Sequence, residues 1–167
     1  ITLDTPISIT DDVVIDGDVD PTGLVPTPLE VSGGNLTQLF VVDTSTSEGD
    51  VSAVTFTNLV LTAGLAESGA ALQVAASADV TLTDVDVTNS ESTGDNAGMG
   101  GAVFSDGTLT ITNGTFSGNA ATGDSGSGGA LLSNGTLTVI GATFDGNTAN
   151  RAGGAVELGA SSTSSFT

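Results

Sequence analysis

Apolar and polar residues alternate along this chain in short runs. Leu109 and Ile111 are apolar, with Thr108, Thr110 and Thr112 between and beside them. A period of two over five residues predicts a half-buried strand. The same run recurs as Leu137-Thr138-Val139, as Val80-Thr81-Leu82-Thr83 and as Val54-Thr55-Phe56-Thr57. A second short strand is predicted around Phe116 and around Phe144. A third begins at Gly-Gly-Ala and carries Val103, Leu131 or Val156. Asn-Gly, Asp-Gly and Gly-Asn pairs punctuate the joints, as turns with positive φ require. No window shows a helical apolar stripe, and glycine and β-branched residues weigh against helix.

These runs belong to a repeat. Asp106–Asn119 reads DGTLTITNGTFSGN and Asn134–Asn147 reads NGTLTVIGATFDGN, 28 residues on. Gly100-Gly101-Ala102, Gly128-Gly129-Ala130 and Gly153-Gly154-Ala155 accompany them. A unit of about 25–29 residues implies a chain built by stacking one element. The predicted fold is all-β: a parallel β-helix, or β-solenoid, of about six rungs with three short strands each. Residues 1–167 read as one β-helix segment cut from a longer chain. Residues 51–161 carry clear repeats. Residues 1–50 carry degenerate ones, at Ile7-Ser8-Ile9, Val13-Val14-Ile15 and Leu39-Phe40-Val41-Val42.

Parallel stacking sets like residues above like, about 4.8 Å apart. Three inward columns are expected: Val54, Val80, Leu109, Leu137; Phe56, Leu82, Ile111, Val139; and Leu61, Val87, Phe116, Phe144. Asn119 and Asn147 align as an inward asparagine stack that hydrogen-bonds backbone groups at a bend. Gly101 and Gly129 leave room where the backbone packs closely.

The alternation of GGAV (Gly100–Val103), FSGN (Phe116–Asn119), GGAL (Gly128–Leu131), FDGN (Phe144–Asn147) and GGAV (Gly153–Val156) resembles the GGA[ILV]/FxxN repeats of the polymorphic outer membrane proteins. It is similar, more broadly, to repetitive right-handed parallel β-helix surface proteins of bacteria and archaea. The match covers about Val80 to Leu158. The resemblance implies a right-handed β-helix, export, and a surface or adhesive role.

Charge narrows the function classes. Twenty Asp and Glu stand against one Arg, with no Lys or His, for a net charge of −19. Phosphate contacts need cations, so nucleic acid is not an expected partner. No apolar run is long enough to span a membrane, so no insertion is expected in this segment. Cysteine is absent, which removes disulfides and thiolate metal sites.

The acid–base inventory for catalysis is thin, since Arg151 is the only strong base and Tyr is absent too. Asp11-Asp12 and Asp84/Asp86 are the carboxylate pairs a hydrolase could draw on, with Asp84 and Asp86 both expected outward on one strand. No catalytic or cofactor-binding residue is assigned, and no cofactor is expected unless Ca²⁺ binds. Asp16, Asp18 and Asp20 are the metal candidates, as oxygen ligands in a loop suit that ion. Thr-x-Thr steps at Thr55/Thr57, Thr81/Thr83, Thr108/Thr110 and Thr136/Thr138 would stack into a double file of the kind ice-binding solenoids use, with rung-length changes expected to interrupt it. Sequons at Asn35, Asn113 and Asn134 are candidate glycosylation sites.

The leading expectation is a non-catalytic extracellular or cell-surface structural or adhesive β-helix. It would serve as stalk, matrix or filament subunit, with a surface polysaccharide or protein, or further copies added end to end, as partner. A carbohydrate-active β-helix enzyme is one alternative. A binding module for ice or Ca²⁺-bridged glycans is the other.

Overall fold

The computed structural model describes residues 1–20, 22, 27–45, 53–95 and 99–167. No helix occurs among them, and every strand pairing is parallel. The chain is a β-solenoid of about five turns whose strands stack into faces.

The first face is a six-stranded sheet of Ile7–Ile9, Phe40–Val42, Leu72–Val74, Val103–Ser105, Leu131–Ser133 and Val156–Leu158. The second and third faces form one nine-stranded sheet, because two strands run through both. Ala53–Thr62 and Asp79–Thr88 each bend midway, at Asn58 and Asp84, which hold φ values of +53°. Val13–Asp16, Thr108–Thr112, Thr136–Ile140 and Thr163–Phe166 complete the second face. Leu29–Ser32, Thr115–Ser117 and Thr143–Asp145 complete the third.

A fourth face has two-residue strands, Leu65–Ala66, Glu91–Ser92, Ala120–Ala121 and Thr148–Ala149. A completed rung therefore has four strands, not three. The turn count also falls below six. Ile7–Ile9 and Val13–Asp16 lie in different faces of the same turn, whereas the sequence pattern counts them as separate rungs.

The predicted columns stand in register. Val54 pairs with Val80, Val80 with Leu109 and Leu109 with Leu137. Phe56, Leu82, Ile111 and Val139 follow two residues along, and Leu61, Val87, Phe116 and Phe144 form the third-face column. All of these are buried except Phe144, which is half-buried. Phe116 and Phe144 stack with ring centres 5.0 Å apart, and Phe40 meets Phe56 edge-on at the same distance. The core is thus a narrow pile of layered aliphatic and phenyl side chains.

The repeat length varies between faces. On the second face successive rungs are offset by 26, 29 and 28 residues from Val54 to Leu137. On the first face Ile7, Phe40, Leu72 and Val103 are offset by 33, 32 and 31 residues, longer than the expected unit. Strand register stays intact across these changes of length. The expected change of repeat character near residue 50 lies outside the described residues.

The corners other than the one between the first and second faces turn on left-handed residues stacked in columns. Asn58, Asp84, Asn113 and Gly141 make one such column, and Gly69, Gly100, Gly128 and Gly153 another. Asn and Asp tolerate this conformation better than other L residues, and Gly adopts it freely. At Gly101 space decides rather than φ: an added Cβ would meet the carbonyls of Gly129 and Ala120.

Candidate functional surfaces

The asparagine stack lies at the bend between the third and fourth faces. Asn119 is fully buried. Its Nδ2 donates to the Val87 carbonyl at 2.9 Å and to Asn147 Oδ1 at 3.1 Å, and its Oδ1 accepts the Ser90 N–H at 3.0 Å. Asn147 repeats the pattern one rung on, donating to the Phe116 carbonyl at 2.8 Å and accepting the Asn119 N–H at 3.0 Å. One rung earlier Ser90 Oγ accepts the Gly64 N–H at 3.2 Å. Each amide thus replaces, at a bend, the peptide pairing that a straight ladder would supply.

Two further corners carry Asn over Asp. Asn113 Nδ2 donates to Asp84 Oδ1 at 2.9 Å, Asn134 to Asp106 at 2.9 Å, and Asn58 to Asp16 at 3.2 Å. Vertical neighbours at these corners would repel if both were carboxylates, and the alternation avoids that. Two sequon asparagines, Asn113 and Asn134, are exposed but spend an amide N–H on these contacts. Asn35 is exposed as well, while the Thr37 of its sequon is buried and donates its hydroxyl to the Gln38 carbonyl.

The acidic stretch near the start is occupied by its own backbone. Asp16, Asp18 and Asp20 each accept the N–H two residues on, from Asp18 at 3.0 Å, Asp20 at 3.0 Å and Thr22 at 2.8 Å. The chain of turns strings the carboxylates out along the loop. Among the described residues no three acidic side chains converge as a metal would need. The Asp18 N–H, and then the Asn58 amide, hold the Asp16 carboxyl below its ordinary range. The Ser45 hydroxyl, then its N–H, does the same for Asp43.

The candidate carboxylate pairs are structural in their contacts. Asp12 Oδ1 accepts the Ala53 N–H at 2.7 Å, and Asp11 Oδ1 accepts the Asp12 N–H at 2.8 Å. Asp84 does not share an outward strand face with Asp86, as alternation alone suggested. Asp84 sits at the left-handed bend, while Asp86 lies beyond it on the third face and accepts the Thr115 N–H at 2.7 Å. Arg151 pairs with Glu157 at 2.9 Å. The sequence pattern points to neither this pair nor the corner Asn–Asp contacts, although the repeat offset of 28 residues does place Asn134 over Asp106.

The threonine files are continuous. Thr55, Thr81, Thr110 and Thr138 stand in register on the outside of the second face, with Thr57, Thr83 and Thr112 beside the first three. The rung-length changes expected to interrupt them leave the files in register. Thr108 and Thr136 fall in a neighbouring file above Asp79. All these side chains are outward and at least partly exposed.

Compared with protein-family models, with curated proteins and with solved structures, the chain finds no match in any of the three. Among the described residues no helix is long and apolar enough to cross a membrane. The fold and the chemistry of these surfaces are therefore what bears on function.

Proposed function

We propose that this chain is a non-catalytic structural or adhesive β-solenoid of an extracellular or cell-surface protein, of the GGA[ILV]/FxxN repeat kind. One observation carries the reading. Side-chain and backbone ladders run in register through successive turns and are closed even at the bends, where Ser90, Asn119 and Asn147 supply the missing partners. A stack tied at its corners as well as along its faces resists bending and shear, which is what a stalk or filament needs. The acidic surface suits an exposed rod that must not aggregate sideways, because like charges repel. The same parallel registry would let copies add end to end by strand addition.

Two assays on the source cells and the purified chain test this reading. Antibody raised against residues 53–167 should label intact, unpermeabilised cells, and the chain should release no sugar from a panel of acidic and neutral polysaccharides. Labelling only after permeabilisation, or steady release of oligosaccharide, would sink it.

A further inference from the structure

The outward side of the second face stands apart from the rest of the surface. Two of its three outward files carry seven threonines in an array with two fixed repeats. Neighbouring rungs are about 4.8 Å apart, and Thr-x-Thr partners on one strand are about 6.6 Å apart, twice the rise per residue. The backbone beneath is tied to a rung on each side, and threonine is stiff at χ1, so the array is already ordered before it meets anything.

The hydroxyls of this array are free. Among the described residues, none of the seven hydroxyls donates to or accepts from another protein group. Some threonines elsewhere are engaged: Thr88 donates to Thr62 at 3.0 Å and Thr122 to Glu91 at 2.7 Å. The array itself is uncharged on a chain of net charge −19, with Asp16 at the end of one file, Asp79 on one flank and Asp84 at the corner beside the other. A neutral, flat grid of hydroxyls and methyls suits a neutral, regular partner.

We propose that this threonine face binds the surface of an ice crystal. Water on a prism face of hexagonal ice repeats on two perpendicular lengths close to those of the grid. Each hydroxyl can bond one lattice water while each methyl fills the hollow beside it. A crystalline polysaccharide would also be flat and neutral. Sugar faces, however, stack on aromatic rings, and the chain has no Trp or Tyr and no Phe in either file. The inference does not rest on the scaffold reading: a rod without ice affinity and an ice binder inside the cell are both distinguishable outcomes.

The test is uptake of the fluorescently labelled protein into a slowly grown single ice crystal, with inhibition of ice recrystallisation at micromolar protein as a second readout. Three variants accompany it. Thr110→Lys places a long cation at the centre of the array, Thr138→Lys does so one rung on, and Thr143→Lys makes the same change on the third face. Circular dichroism establishes which variants fold. The expected result is uptake and inhibition by the native chain and Thr143→Lys, with at least a tenfold loss for whichever array variant folds. Exclusion of the native chain from ice overturns the proposal. Equal activity of all folded variants also overturns it. So does a native dimer, without ice uptake, that Thr110→Lys dissociates, since the face would then be a contact between copies.

Discussion

Removing the Asn119 side chain tests the corner ladder where it is most buried. In Asn119→Ala the Ser90 N–H loses its acceptor and the Val87 carbonyl loses a donor, both inside the stack. A buried polar group left without a partner costs about 1–3 kcal/mol. With two groups affected, the expected loss is about 2–6 kcal/mol. For a chain of this size about 1 kcal/mol shifts the melting temperature by about 2–4 °C, so Tm should fall by roughly 6–12 °C for a loss near 3 kcal/mol.

Asn119→Asp separates hydrogen bonding from packing. It keeps an acceptor for Ser90, but turns a carboxylate oxygen toward the Val87 carbonyl and Asn147 Oδ1, which are acceptors. The folded state then favours the protonated acid, so its folded pKa lies above the unfolded value of about 3.9. With the folded pKa raised, stability is greatest below pH about 4. It falls as pH rises toward the folded pKa and levels off above it. Urea unfolding at pH 4 and pH 7 measures this. Asn119→Asp should be less stable than Asn119→Ala at pH 7 and should regain stability at pH 4. An Asn119→Ala loss under about 1 kcal/mol, or an Asp variant indifferent to pH, would refute the ladder account.

Two further outcomes follow from the same geometry. Gly101→Ala should cost several times more than Gly146→Ala. A Cβ at Gly101 runs into carbonyls of this rung and the next, whereas at Gly146, with φ +60°, the nearest atom is 4.0 Å away and only the left-handed strain of about 1–2 kcal/mol applies; matched thermal melts give the ratio, and equal losses would contradict the close packing. Raising NaCl from 0.01 to 1 M should raise Tm, because screening shortens from about 30 Å to about 3 Å and weakens the mutual repulsion of 20 acidic groups. A flat or falling Tm would show that this repulsion is not a stability term.

The inward columns were legible because period-two alternation and the 28-residue echo agree on them. Val80, Leu109 and Leu137 sit at the same phase of both patterns, and so do Leu82, Ile111 and Val139 two residues on. The fourth strand was not legible, since Ala120–Ala121 and its equivalents are too short to show any alternation. The sequence pattern gives too many turns for a related reason. Ile7–Ile9 and Val13–Asp16 look alike as apolar runs, and only pairing shows that they occupy different faces of one turn.

Threonine continuity is hidden in the sequence because unequal rung lengths look like broken register. In a solenoid, corners absorb length while strands keep phase. Asp84 shows the limit of alternation in the other direction: a single left-handed residue changes which face its neighbour Asp86 belongs to.

The most direct test of the account is the register of the stack itself. The chain has no Cys, so engineered pairs report cleanly. Thr110 and Thr138 are paired on adjacent rungs, while Thr110 and Thr136 are displaced by two residues. Adjacent parallel strands put paired Cα atoms about 4.8 Å apart, within disulfide range, and displaced ones near 8 Å, outside it. Under mild oxidation Thr110→Cys/Thr138→Cys should close to a disulfide nearly quantitatively, and Thr110→Cys/Thr136→Cys should stay reduced. The opposite preference, or equal closure of both pairs, would contradict the stacked ladders on which the scaffold and the threonine face both depend.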